Sequence, residues 1–506
     1  MMLRAPFTSA FSLKALIAWL AQFPTPPKGI TVDSRQVKPG MLFAALPGTQ
    51  HDGRRFIAEA IARGAVGILW EAGDRKTGDD ETNAITVPHW GIGGLAPSLG
   101  IVADAVYGQP SRHLPLIGVT GTNGKTSCAH WIAQALHARG SRTGVIGTLG
   151  HGLVEEKAWL PSLNTTPDAA SLQNVLVQLR KQGAEAVVME VSSIGLEQGR
   201  VNGCCFDTAL FTNLTRDHLD YHGTFEAYAA AKTRLFAWPQ LRHAVINLDD
   251  PMSGVMVTAA RLRHAKVWRY SSSGHPNAEI AVTDGGSVRE MCFTVRTPQG
   301  EGEVRTSLLG EFNRANVLGV LGVLLARDVP LPEALQLLST LTSPPGRLQR
   351  MGHEGQPVVV IDYAHTPDAL DNVLRTLRAT QTEGRQLFCV FGCGGDRDAG
   401  KRPLMGAVAA KRADRVWITN DNPRNEPPTN ILVAIEKGLR SVNGASWVVE
   451  ADRAAAIAQA VAAARAGDLV LIAGKGHEPY QEIAGARYPF LDADVATQAL
   501  NKWSAS

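Results

Sequence analysis

Apolar residues gather in short runs that break off into polar and glycine residues, and between the runs apolar positions recur with helical spacing. In the middle of the chain LIGVTG (116–121), AVVMEVSS (186–193), ALFTNLT (209–215) and AVINLDD (244–250) are expected as strands. A helix is expected from Cys128 to Arg139, stopped by Gly140. Strands alternating with helices predict parallel strands joined by crossover helices. The rhythm returns in VVVIDYAHT (358–366), LFCVFGCGG (387–395), RVWITNDNP (415–423) and DLVLIAGKGHE (468–478), and the Ala-rich stretch 454–464 reads as a helix. Four polar clusters at four strand ends point to a shared ligand site, because open α/β sheets bind ligands where strand C-termini give way to loops.

Two breaks divide the pattern. YGQPSRHLP (107–115) reads as a linker, and TSPPGR (342–347) interrupts helical patterns on either side. The expected domains are 1–112, 113–343 and 344–506. The fold class is α/β: three domains, with a central P-loop-type parallel-sheet ATPase domain and a Rossmann-like C-terminal domain. The length of 506 residues suits several cores rather than one.

Composition adds mostly exclusions. Hydrophobic and charged fractions of 44% and 19% are ordinary for a soluble protein. A net charge of +3 gives no warrant for a nucleic-acid or membrane partner. The six cysteines form no CxxC pair and no zinc-type spacing, which suits reduced thiols in a cytosolic protein. The apolar stretch Leu13–Phe23 is too short to span a bilayer and contains Lys14. Neither a secretion signal nor an anchor is expected, so the location is cytoplasmic. The expected working unit is a monomer.

The strongest local chemistry lies in GVTGTNGKTS, Gly118 to Ser127. Backbone amides of a glycine loop can ring a phosphate, with the positive end of the next helix behind them. Lys125 would lie against the β- and γ-phosphates, and Thr126 could offer its hydroxyl to Mg2+. The usual pattern has glycine at the position of Val119; here Gly118 and Gly121 straddle it. Glu190 ends a strand and could bind the metal directly or through water. His218, in NLTRDHLDYHG, is by spacing either a neutral imidazole ligand or a helix-capping group. Lys232, among alanines in FEAYAAAKTRLF, reads unaided as a solvated helix position.

GTNGKTS, EVSSIGLEQGRV (190–201), FTNLTRDHLDYHG (211–223), AAKTRLF (230–236) and DYAHTPDAL (362–370) together resemble the Mur ligase family. FGCGGDRDAGKRPLMG (391–406), DNPRNEPP (421–428) and GKGHEPYQ (474–481) point within it to members that add the third residue of the peptidoglycan stem peptide. The resemblance implies an ATP-dependent ligase working through an acyl phosphate, with ATP and Mg2+ as cofactors. It implies that Gly121, Thr122, Asn123, Gly124, Lys125, Thr126 and Ser127 hold phosphate, and that Asn313, Arg347 and Asp362 close over the nucleotide. Thr126, Glu190, His218 and Lys232 would hold metal, with Lys232 carbamylated to N6-carboxylysine; Lys125, Glu190, His218 and Lys232 form the implied catalytic set.

The implied substrates are UDP-MurNAc-L-Ala-D-Glu and meso-2,6-diaminopimelate. Val32, Ser34, Thr49, Gln50 and His51 match positions that grip the uridine nucleotide. Asn164, Thr165, Thr166, Ser192, Gln198 and Arg200 match those that bind the muramoyl dipeptide. Ile194 departs from the family's frequent histidine, so no polar role is carried to it. Arg397, Asp421, Asn422, Pro423, Arg424, Gly474 and Glu478 match the diaminopimelate site. DNPR resembles the signature of diaminopimelate-adding members; lysine-adding members tend to show DDPN. Arg424 would pair with the far carboxylate that lysine lacks, through charge-assisted hydrogen bonds unavailable to asparagine. The rivals are a folylpolyglutamate synthase or the MurF enzyme of the same superfamily, and, in another class, a nucleotide-binding regulatory protein on an inactive ligase fold.

Overall fold

The structure is a computed structural model that describes residues 12–48, 51–72, 85–156, 159–287, 291–381 and 383–504. The chain divides into two compact units. One runs to Ala281 and takes in Arg296–Gly300 and Ala315–Leu337; the other comprises Val282–Val295, Glu301–Arg314 and the chain from Leu338 onward.

The first unit opens with four parallel strands in the order Gly29–Thr31, Met41–Ala45, Gly67–Glu71, His89–Ile92. Helices Leu13–Leu20 and Leu95–Val106 cover one face, burying Leu16, Trp19, Ile30, Leu42, Leu69, Leu99 and Val102 in one cluster. Leu13–Phe23 thus contributes Leu16, Trp19 and Phe23 to a core. That cluster continues into Ala169 and Ala170 of helix Ala169–Lys181. The backbones approach closely at Gly100, where any side chain would collide with the carbonyl of Asn202; Asn202 Nδ2 donates to Pro97 O at 2.8 Å.

The larger sheet of this unit runs in the order Gly150–Leu153, Thr143–Gly147, Ala186–Glu190, Leu116–Thr120, Phe206–Phe211, His243–Asn247, Lys266–Ser271. Neighbours are parallel except the first pair. Central strands with both faces covered should be apolar throughout, and Leu116–Thr120 and Ala186–Glu190 are buried at every position. Thr143–Gly147 was not anticipated from its sequence, TGVIG. Its glycines serve packing: a side chain at Gly144 would press on Leu179, and one at Gly147 would displace the Glu190 carboxylate. The helix after the glycine loop begins at Lys125, earlier than expected, because Gly124 (φ 84°) turns straight into it.

In the second unit six strands run in the order Gln349–Met351, Val358–Asp362, Leu469–Ala473, Leu387–Phe391, Arg415–Ile418, Trp447–Val449, parallel apart from the first pair. Alternate residues face opposite sides of a strand. Val360, Cys389, Phe391, Val416 and Leu471 therefore pack under helices Pro367–Thr380, Lys401–Arg412 and Pro428–Arg440. Val359, Phe388, Val390, Trp417 and Val470 pack under Arg453–Ala463 and Asp492–Lys502. The chain runs outward through three strands and returns to insert Leu469–Ala473 beside Leu387–Phe391. Such a reversal opens a crevice at the strands' C-terminal ends. All four anticipated strands of this region are present.

Candidate active site

In the first unit the loop Gly121–Gly124 joins strand Leu116–Thr120 to helix Lys125–Ala138. It is held from the side by the segment after Phe211. Asn213 O accepts from Thr122 N at 2.8 Å, Asn213 Oδ1 from Asn123 N at 2.9 Å, and Thr212 Oγ1 donates to Asn123 O at 2.6 Å. A side chain at Gly121 would collide with Thr212 Oγ1, and one at Gly124 with Asn316 Oδ1. The first helical turn, Lys125–Ser127, presents amides without intrahelical acceptors, and the helix dipole adds positive potential there. Lys125 Nζ lies back over the loop, 2.9 Å from both Gly121 O and Thr122 O.

Glu190, at 1% exposure, accepts Thr126 Oγ1 at 2.9 Å, Thr148 N at 2.8 Å and Thr148 Oγ1 at 3.1 Å. Lys232 is as deeply buried, and its Nζ donates to Gly121 O at 2.8 Å. Burial pushes its pKa well below the ordinary lysine value; Lys125 pushes the same way and Asp217 opposes. It is thus no solvated helix position but a nitrogen biased towards the neutral amine.

Tyr228 organises this corner. Its hydroxyl is 3.0 Å from Thr122 Oγ1, and Lys232 Nζ stands 4.8 Å over its ring. The rings of His218 and His222 lie 6.2 and 5.3 Å away. Burial lifts the Tyr228 phenol to about 12, so it stays protonated. His218 precedes the short helix Leu219–His222 in a left-handed conformation (φ 51°), and its side chain makes no cap hydrogen bond. Of its two readings, capping is therefore not what the structure displays. Among the described residues no three His, Cys, Asp or Glu side chains are gathered as a metal-binding set. The oxygen pair Thr126 and Glu190, beside the phosphate-loop helix, has the hard-donor chemistry that magnesium prefers, so these residues fit the ion.

Beside Glu190 lie the muramoyl-peptide candidates. Thr166 Oγ1 donates to Glu190 O at 3.0 Å and accepts from Ser192 N at 2.9 Å. Arg200 donates to Thr166 O at 2.9 Å and, through Nε, to Gln198 Oε1 at 2.9 Å. Thr165 Oγ1 is 3.1 Å from Thr148 Oγ1, and Asn164 is exposed. Ile194 is half-buried on the short helix Ser193–Glu197. In the four-stranded part, Ser34 is buried and donates to Glu59 Oε2 at 3.0 Å, Val32 is half-buried and His51 exposed. Thr49 and Gln50 lie outside the described residues.

In the second unit Asp362 ends its strand and accepts Leu348 N at 2.9 Å and Ala364 N at 2.8 Å. Burial raises its carboxyl pKa, and Arg347 opposes that rise. The Arg347 guanidinium stands 5.1 Å over the Tyr363 ring. Asn313, in helix Glu311–Ala326, is buried and donates to Leu309 O at 2.6 Å.

The loops after Phe391, Ile418 and Ala473 converge. Gly395 N donates to Asn422 O at 2.9 Å, and a side chain at Gly395 would collide with Pro423 O. At Gly474 a side chain would stand 2.7 Å from Asp421 Oδ2. Asn422 Nδ2 donates to Glu478 Oε2 at 2.8 Å. Arg424 (φ 52°) donates to Gly395 O at 2.8 Å, and its Nε is 3.8 Å from Glu482 Oε2. A guanidinium has five N–H groups, so donors remain for a carboxylate. Arg397 is exposed in the same loop as Gly395. Behind them Arg453, fully buried, pairs with Asp492 at 2.7 Å and donates to Ala473 O at 3.0 Å and Asn420 O at 3.4 Å. One cation thereby ties together the segments that lead into Asp421 and Gly474.

Family profiles match most of the chain: "Mur ligase family, catalytic domain" at residues 27–107, "Mur ligase middle domain" at 119–324 and "Mur ligase, glutamate ligase domain" at 346–476. The chain belongs to the Mur ligase family. It is 49% identical over 483 residues to UDP-N-acetylmuramoyl-L-alanyl-D-glutamate–2,6-diaminopimelate ligase of Ectopseudomonas mendocina, covering 94% of this chain and 96% of that one. Identity to the ligase of the same name from Pseudomonas syringae pv. tomato is 49% over 497 residues, covering 98% and 99%. A solved structure of a ligase of that name aligns with a TM-score of 0.69 at 39% identity, covering 94% of each chain. Mur ligases are three-domain, ATP-dependent enzymes, which accounts for a phosphate loop and two further α/β blocks in one chain. No helix among the described residues is long and apolar enough to cross a membrane.

Within this Mur ligase, four contributors to the site were not singled out from sequence. Thr148 follows a glycine-rich strand, and Tyr228 sits one turn before Lys232 on the same helix, a spacing that could have flagged it. Lys475 and Arg453 are buried cations, which sequence does not distinguish from exposed ones.

Proposed function

We propose that this chain is an ATP-dependent ligase that joins meso-2,6-diaminopimelate to the D-glutamate of UDP-MurNAc-L-Ala-D-Glu, giving the UDP-MurNAc-tripeptide of peptidoglycan synthesis. Residues 1–112 serve the uridine nucleotide, 113–343 ATP and the acyl donor, and 344–506 the incoming amino acid. The enzyme works as a monomer in the cytoplasm, where ATP and the nucleotide-linked precursor are available.

A carboxylate is a poor electrophile until one oxygen becomes a leaving group. In this reading a D-glutamate carboxylate oxygen attacks the γ-phosphorus and ADP departs. The amine of diaminopimelate then attacks the acyl carbon, the C–O bond to phosphate breaks, and the amine releases a proton. The loop amides and Lys125 bind and neutralise the phosphates, so the protein acts mainly through position and charge. Thr126, Glu190, His218 and a carbamylated Lys232 would hold Mg2+, which supplies charge neutralisation at the transferred phosphoryl group. Lys232 suits that role because a neutral amine is the form that adds carbon dioxide, and the product is an anion where the free ammonium would repel the ion. Ser192, Thr166, Gln198 and Arg200 orient the muramoyl peptide, and Val32, Ser34, Thr49, Gln50 and His51 the uridine end. Asn313, Arg347 and Asp362 bind nucleotide. Arg424, with Arg397, Asp421, Asn422, Pro423, Gly474 and Glu478, reads diaminopimelate.

The observation that carries this reading is Lys232, buried and hydrogen-bonded to the Gly121 carbonyl of the phosphate loop. A generic phosphate-loop ATPase has no use for it. The test is a ligation assay on UDP-MurNAc-L-Ala-D-Glu comparing meso-diaminopimelate with L-lysine. Selective incorporation of diaminopimelate is expected, and equal use of lysine would overturn the assignment of substrate.

A further inference from the structure

Lys475 lies between Gly474 and Glu478, yet binding the amino acid does not require it to touch ligand. Its side chain has no exposed surface, and an ammonium so buried must be fully partnered. Nζ donates to Asn422 Oδ1 at 3.0 Å and to Glu478 Oε2 at 3.1 Å. Asn422 Nδ2 donates to the same Oε2 at 2.8 Å, which closes a triangle. The amide's orientation follows. Its oxygen receives both Lys475 Nζ and Glu482 N, the latter at 3.0 Å, so the NH2 end has to face Glu478. Glu478 Oε2 thereby carries two donors, while no hydrogen bond among the described residues engages Oε1. The Glu478 side chain keeps 23% of its surface exposed, so a ligand can reach it.

We propose that Lys475 is a positioning residue of the amino-acid site: its buried side chain holds the Glu478 carboxylate turned and fixes the face of the Asn422 amide, so that Glu478 Oε1 accepts the distal ammonium of the incoming diamino acid. The proposal rests on the reading above that Asn422 and Glu478 hold that amino acid. Other ionisable groups felt at Glu478 are the Tyr363 phenol and the Arg453 guanidinium, which also acts on Asp421. Lys475 is the cation hydrogen-bonded to it.

The test uses full-length Lys475→Met, which keeps an unbranched chain and removes the charge, with steady-state kinetics in each substrate. The KM for meso-diaminopimelate should rise about 10- to 100-fold, as for loss of a charge-assisted contact, while the KM for ATP stays within about 2-fold. The kcat at saturating amino acid should stay within about 3-fold, a split that general loss of structure would not give. Glu478→Gln should raise the same KM, and adding Lys475→Met to it should change little, since the two act as one unit. A folded Lys475→Met with unchanged KM for diaminopimelate overturns the proposal. If that variant loses its melting transition, Glu478→Gln decides, and an unchanged KM for diaminopimelate there overturns it equally. Failure of the wild-type enzyme to ligate diaminopimelate at all would instead strike the functional reading beneath.

Discussion

Lys232 brings a basic nitrogen into a place with almost no water, and the cost falls on its charged form. Below its lowered pKa the amine is protonated and cannot hold a carboxyl group, so carbamylation and activity should both decline as pH falls. Intact-mass measurement under native conditions should find one added carboxyl group that vanishes in carbon-dioxide-free acid buffer. Lys232→Ala should lower kcat about 100- to 1,000-fold, as loss of one preorganised electrostatic group does. Arg424 differs in kind. It is partly exposed, donates one hydrogen bond to Gly395 O and faces Glu482 at 3.8 Å, with further N–H groups left for a ligand. Arg424→Asn should raise the KM for diaminopimelate about 10- to 100-fold without altering the KM for ATP, which initial-rate kinetics would check.

Among elements, the tightest contact joins helices Lys401–Arg412 and Pro428–Arg440. A side chain at Gly438 would collide with Pro403 O, and one at Gly406 with Ile435 O. Gly438→Ala should therefore destabilise the second unit by about 1–3 kcal/mol, read from its urea midpoint. Helix Leu95–Val106 carries a different strain. Asp104 is buried with Oδ1 unpartnered, and burial lifts its pKa to about 6 against the opposing Arg112 and Gln109. With the folded value above the unfolded one, the folded state holds the extra proton. That contribution is complete below about pH 4 and is lost as pH rises through 6, by up to about 3 kcal/mol. Asp104→Asn should leave stability nearly flat over that window and exceed the wild type at pH 8, by thermal or urea melts. These elements also bound what the sequence discloses. Leu116–Thr120 and Helix Phe225–Phe236 were legible because apolar runs and 3.6-residue spacing survive in them. Thr143–Gly147 was not, because its glycines answer to Leu179 and Glu190, which approach from elsewhere in the chain.

Across the whole molecule, candidates that follow an apolar run are the most legible: Glu190, Asp362 and the Asp421–Arg424 turn all sit at strand ends. Their supports were hidden because the partners are distant in sequence. Tyr228 meets Thr122 across 106 positions, and Lys475 meets Asn422 across 53. No periodicity encodes such meetings. The close approach of Gly100 to Asn202, with Asn202 hydrogen-bonded to Pro97, has a consequence for substrate length. A seam without room for a methyl group mounts the four-stranded sheet closely on the phosphate-loop sheet, so, in the function proposed above, the span from nucleotide to reacting carboxyl is gauged in advance. A donor already one residue longer should overshoot the phosphate loop; offered UDP-MurNAc-tripeptide, the enzyme should release no phosphate above background in a coupled assay.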